Sequence, residues 1–199
     1  MSVKVSKSVW LIIGLIVVLL VGYLIYYLYQ SNLNKEYSIA KNESDIQRHL
    51  ESWENIDGEN LHTKLYKFEH IDKTDTYIVF FENQDGAIGI GRLKEGANKK
   101  LSLTNTRSGT AKIAYDWAKT DRGYYGIVYG RNPDKQVSSI KAIAHDKSFS
   151  FTVQIPDEEY FMVYKKLPKG ADGEEFADLY YFDRNNKQIF KEESRERVD

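Results

Sequence analysis

The chain has 199 residues, 28 Lys plus Arg against 29 Asp plus Glu, and no cysteine. A 42% apolar, 29% charged composition excludes wholesale disorder, and the length suits one domain or two small ones. Without cysteine there are no disulfide staples, thiolate metal sites, thiol nucleophiles or lipid anchors on cysteine. A formal net charge of −1 supplies no global drive toward nucleic acid, so none is expected as a partner.

Residues 1–8 form a short tail, with Lys4 and Lys7, expected on the cytoplasmic side. Residues 9–28 then read VWLIIGLIVVLLVGYLIYYL, without a charge. At 1.5 Å per residue such a helix is about 30 Å long, the thickness of a bilayer's hydrocarbon core. Trp10 at one end and Tyr23, Tyr26, Tyr27 and Tyr29 at the other carry the apolar body and polar tip that settle at the membrane interface. The expectation is one transmembrane helix over 9–29, in contact with the lipid bilayer. A cleaved signal peptide is the rival, but its apolar core runs only about 7–15 residues. The short-loop lysine count ties, Lys4 and Lys7 against Lys35 and Lys41. The leading tail holds no acid while Glu36 and Glu43 dilute the far side, which favours a cytoplasmic N-terminus and an extracytoplasmic C-terminal domain. Gly14 and Gly22 lie eight apart on nearly one helix face, a stripe through which the helix could oligomerise.

Residues 30–57 read as a tether with a short helix over 44–55. Ser44 and Gln47 have the spacing of a capping box, and Ile46, Leu50 and Trp53 form one apolar stripe, expected to dock by Leu50 and Trp53. Beyond this the period changes to two. Around Asp85-Gly86, Tyr77, Val79 and Phe81 should face one way and Ile78 and Phe80 the other, a strand covered on both sides. In SFSFTVQIP, Phe149, Phe151, Val153 and Ile155 should point inward. GYYGIVYG, VSSIKAIA, YFMVYKKL, ADLYYF and KQIFKE add further strands, the last two joined at Asn185-Asn186. Short strands at turn-marked intervals predict a mainly β fold: an antiparallel sandwich or barrel-like domain over 58–192. It is read as one unit or as two sheets, 58–119 and 120–192, followed by a solvated tail at 193–199.

The segments YIVFFENQDGAIGIGRLKEG, GYYGIVYGRNPDKQVSSIKA, EEYFMVYKKLP and ADLYYFDRNNKQI resemble the pattern of uncharacterised single-pass, membrane-anchored exported β-domain proteins of Bacillus-like Gram-positive bacteria. The resemblance covers 76–190. It implies an extracytoplasmic setting at the cell envelope and carries no activity or functional residue.

Motifs for chemistry are sparse. His49, His62, His70 and His145 lack ligand spacing, and the turn HIDKTD supplies too few donors, so no metal is expected. GAIGIG has no helix after it to complete a phosphate cradle; Gly89 and Gly91 are read as making room for a ring on the next strand. No Ser sits in a nucleophile elbow, and neither the Asp157, Glu158, Glu159 run nor the isolated Asp116 and Asp183 forms an acid–base pair by spacing. No cofactor and no enzyme activity are therefore expected. Paired aromatics in strands leave one ring of each pair for the surface. Tyr124, Tyr125, Tyr160 and Tyr180, with Lys165, are the candidate binding residues for an envelope protein or glycan. The leading expectation is a non-enzymatic binding or sensing module. An immunity or inhibitor protein is the alternative, and a hydrolase with a carboxylate pair assembled by the fold is the third class.

Overall fold

The computed structural model describes residues 7–55, 62–171 and 176–192. The trailing tail and most of the leading tail lie outside them. Two helices, α1 (Lys7–Glu36) and α2 (Glu43–Glu54), precede eleven strands. These are β1 (Thr63–His70), β2 (Thr76–Asn83), β3 (Ile88–Glu95), β4 (Leu101–Gly109), β5 (Ile113–Thr120), β6 (Gly123–Arg131), β7 (Ser139–Ala144), β8 (Ser150–Gln154), β9 (Tyr160–Lys166), β10 (Ala177–Phe182) and β11 (Gln188–Glu192).

Every pairing between these strands is antiparallel, and they form three open sheets ordered β1-β2-β3-β4, β5-β6-β9 and β11-β10-β7-β8. The fold is thus mainly β and sandwich-like, with no closed barrel. The break between the first sheet and the rest falls in the link between β4 and β5, not at 119/120. Thr120 ends β5 and leads by a hairpin into β6, so the two strands cannot be assigned to different sheets.

Period-two patterning explains the stacking. Tyr77, Val79 and Phe81 pack against Ile39 and against Ile46 and Leu50 of α2. Ile78 and Phe80, one residue out of step, pack against Ile127, Tyr129 and Met162 of the middle sheet. On that sheet's other face Val128 and Phe161 meet Ile140, Phe151, Val153, Leu179 and Tyr181. The result is four layers: α2 and three sheets. Phe80, Phe81 and Phe161 are fully buried, each worth roughly 1.5–3 kcal/mol of burial.

The hairpin at Asp85-Gly86 forms as expected, with Gly86 at φ 84 and its amide donating to the Asn83 carbonyl at 2.8 Å. Gly89 lies directly opposite Phe81, whose ring would come within 2.3 Å of a Cβ there. Gly91 makes the same room for a methyl of Val79, not for a ring.

The segment between α1 and the β head departs from a tether. α1 continues to Glu36 because nothing in 30–36 breaks a helix already nucleated by the apolar run. The chain then docks: Ile39 and Leu101 exchange two backbone hydrogen bonds at 3.0 and 2.8 Å, and the Asn98 side chain donates to Asn34 Oδ1 at 3.0 Å and to the Tyr37 carbonyl at 2.9 Å. The helix cap is Asn42, not Ser44; Asn42 Oδ1 accepts from the Asp45 amide at 2.9 Å. Gln47 leaves the cap altogether. Its carboxamide donates to the Thr63 carbonyl and accepts from the Leu65 amide at 2.9 Å, standing in for a further strand beside β1. Both edges of the first sheet are therefore engaged by 39–47, which blunts edge-to-edge aggregation. α2 docks by Ile46 and Leu50; Trp53, at the margin of the contact, remains 38% exposed.

Candidate functional site

Edge strands of all three sheets converge in one place. β1, β9 and β8 line an open groove of about 530 Å³ with Pro156 and Glu158 of the β8–β9 connection. Met162 and Ile155, both buried, supply apolar surface, and Lys67, Glu69, Gln154, Glu158 and Tyr164 supply polar groups. Alternation places them. Met162 points into the core between the first two sheets, and the β8–β9 connection swings Glu158 across to β1.

Glu158 pairs with Lys67. Glu69, half-buried, has its carboxyl pushed above the usual range by burial; the Glu158 charge adds to that and Lys67 opposes it. Tyr164 is fixed at the other end: its hydroxyl donates to the His70 carbonyl at 3.1 Å and lies 3.4 Å from the Asp72 amide. Beside the groove Tyr66 stacks on Tyr160 at 3.7 Å and donates to Glu82 at 2.9 Å, and Glu82 holds Arg131 at 2.9 Å. An apolar strip flanked by acceptors and one fixed phenol can hold an extended chain carrying donor groups, a peptide or a glycan.

The five candidate binding residues do not share a patch. Tyr125 is buried between the first two sheets, with Tyr164 edge-on at 6.1 Å and the Lys166 ammonium 6.0 Å from its ring. Tyr160 is taken by its stack on Tyr66. Tyr124 packs toward the third sheet, 5.5 Å from Trp117. Tyr180 lies half-buried in β10, with Lys191 at 5.1 Å. Lys165 is exposed and donates to the Thr152 carbonyl at 3.2 Å, near the groove. Rings in adjacent strand positions do separate, but stacked sheets cover both sides of β6.

Residues missed by sequence reasoning are Lys67, Glu69, Gln154 and Met162. Glu158 was visible as part of an acidic run, but its partner lies 91 residues away in the chain. Asp116 proves to be an internal acid: it is fully buried and paired with Arg92, whose guanidinium also lies 5.1 Å from the Trp117 ring and donates to Asn105 at 2.8 Å. Burial pushes the Asp116 carboxyl up, against the pull of Arg92. Asp183 only caps its own hairpin, accepting from the Asn185 and Lys187 amides at 2.9 and 2.8 Å. His70 is absorbed in its turn, its ring 4.3 Å from that of Tyr77.

The residues expected at the membrane interface all lie on α1. Trp10, Tyr23, Tyr26, Tyr27 and Tyr29 are exposed, and the apolar window of Trp10–Glu36 has none of its surface buried. Length and composition suffice to cross a membrane. Gly14 and Gly22 have open space around them.

Site and fold together define a class: a four-layer β head carried on a helix of membrane-spanning length. Compared with known protein families, with curated proteins and with solved structures, the chain finds no match in any of the three.

Proposed function

We propose that the chain is a single-pass cell-membrane protein whose head, outside the cytoplasm, is a binding or sensing module that receives an envelope protein or glycan in the β1–β9–β8 groove. The carrying observation is the groove itself: three sheet edges presenting apolar surface with Lys67, Glu69, Glu158 and Tyr164 around it. A long apolar helix with its surface uncovered supports the membrane setting, and the acid-free tail holding Lys4 and Lys7 supports the orientation. Because residues 37–47 are docked on the head, the module works at a set distance from the bilayer and does not sweep on a tether.

The test is photo-crosslinking on intact cells from a probe at position 158, coupled with protease treatment of protoplasts. Head digestion from outside and a crosslinked envelope component abolished by Tyr164→Ala, in a head that circular dichroism shows still folded, are the expected results. A protected head overturns the extracytoplasmic setting. Crosslinks indifferent to Tyr164→Ala overturn the groove.

Glu69 and Glu158 sharing one groove favour a hydrolase as the second reading, with the raised Glu69 as proton donor. Turnover of an envelope glycan that Glu69→Gln abolishes would replace binding with catalysis.

A further inference from the structure

The docking of α1 sets the height of one particular turn. Asn34 is five residues beyond Tyr29, the last ring of the expected interfacial belt, so at 1.5 Å per residue it stands about 7.5 Å further along the axis. The polar layer of one leaflet is about 5–7 Å deep. Asn98, in the turn between β3 and β4, is hydrogen-bonded to Asn34 and to the Tyr37 carbonyl, so the turn lies at the outer margin of the headgroup layer, within a lysine side chain's reach of it. Gly96 is clamped under the Tyr37 ring, which leaves the turn no freedom to lift away independently.

That turn is basic. Lys99 occupies its tip at φ 63 with its side chain 82% exposed, Lys100 follows it, and Lys35 projects from the last turn of α1. The acids nearby are largely committed. Glu95 is engaged by Lys41, Lys99 and the Tyr77 hydroxyl, and Asp75 by Lys94 at 3.4 Å; Glu36 is the remaining carboxylate. Lys35 and Lys100 have no acidic partner among the described residues.

We propose that Lys35, Lys99 and Lys100 form a contact surface for anionic lipid headgroups, seating the head on the bilayer beside its own anchor. The inference rests on the membrane-spanning reading of α1. Its physical basis is the attraction between a juxtamembrane lysine and an anionic surface, which shifts a contact equilibrium roughly fivefold per lysine and decays within a Debye length.

The cysteine-free chain suits the test. Full-length protein carrying a fluorophore on Ala97→Cys is reconstituted into phosphatidylcholine vesicles with or without phosphatidylglycerol, each containing a headgroup-nitroxide quencher lipid. A control label sits on Asn185→Cys, at the β10–β11 hairpin. Quenching at position 97 should rise with phosphatidylglycerol, fall back in high salt, and lose most of its lipid dependence in the Lys99→Asn, Lys100→Gln double variant, which keeps Lys35. Asparagine is chosen because it tolerates a positive φ. Position 185 should show no lipid dependence. Equal quenching at 97 in both vesicle types, with the chain resisting carbonate extraction, overturns the contact alone. Release of the chain by carbonate overturns the spanning reading and the contact with it.

Discussion

The ring of Tyr37 sits on Gly96 so closely that a Cβ at position 96 would lie 2.4 Å from a ring carbon. This is the lock between α1 and the head. Gly96→Ala must displace the ring, at a cost of about 1–3 kcal/mol for overpacking. The expected result is a lower melting temperature and faster tryptic cleavage at Lys35 and Lys41. Unchanged cleavage would mean the helix is held some other way.

A similar contact inside the first sheet allows a cleaner measurement. Gly89→Ala pushes a methyl into the Phe81 ring and should destabilise the head by about 1–3 kcal/mol. Trimming that ring with Phe81→Leu should make the alanine tolerable, so the double variant will lose less than the sum of the two singles. Additive losses in urea titrations would contradict the opposition of 81 and 89.

The Arg92–Asp116 pair closes one end of the apolar layer between the first two sheets. Removing one partner strands the other charge, which typically costs 3–5 kcal/mol, whereas replacing both with apolar residues of similar volume is often neutral. Arg92→Met alone is therefore expected to unfold at distinctly lower urea than the Arg92→Met, Asp116→Leu double variant. The reverse order would show that the pair itself stabilises the head.

Acid sensitivity should concentrate at Glu95. Its carboxyl is held down to about 2, first by the hydrogen bond from Lys41, with Lys99 and the Tyr77 hydroxyl adding to it. An unfolded glutamate titrates near 4.3, so as pH falls the unfolded chain takes up this proton before the folded one. The stabilisation is complete above about pH 5 and disappears between there and about pH 2. Glu69 and Asp116, raised by burial, act with the opposite sign. Glu95→Gln should flatten the fall of the urea midpoint across that window, and an unaltered slope would rule the cluster out as the acid-labile element.

What could be read beforehand was whatever alternation states alone. Two-sided burial of β2, the inward face of β8 and the hairpins at Asp85-Gly86 and Asn185-Asn186 each depend on neighbours within about ten residues. The rest depends on partners that local pattern does not name. β4 carries apolar residues only at Leu101 and Leu103, and β5 is interrupted by Asp116, which is apolar in position although not in kind. Lys73, Lys99, Lys135 and Lys147 take positive φ in turns, a residue type that carries no turn signal. The groove was illegible because its walls come from three sheets, and of the tyrosines expected at a surface Tyr124, Tyr125 and Tyr160 are engaged by packing between layers while Tyr180 stands apart on β10.

β6 finds one neighbour, β5, immediately before it, and the other, β9, only after the β7–β8 hairpin has been made elsewhere. The middle sheet is thus closed only after the third has been started, and the third is finished later still, when β10 joins β7 and β11 joins β10. A chain delivered only up to β8 holds β5 and β6 without β9, and β7 and β8 without β10, so Val128 still lacks its cover from Leu179 and Tyr181. Protection of the middle strands against exchange should rise once Lys166 has emerged and be complete only after Phe182, and a chain halted between the two should be a preferred substrate for proteases and chaperones.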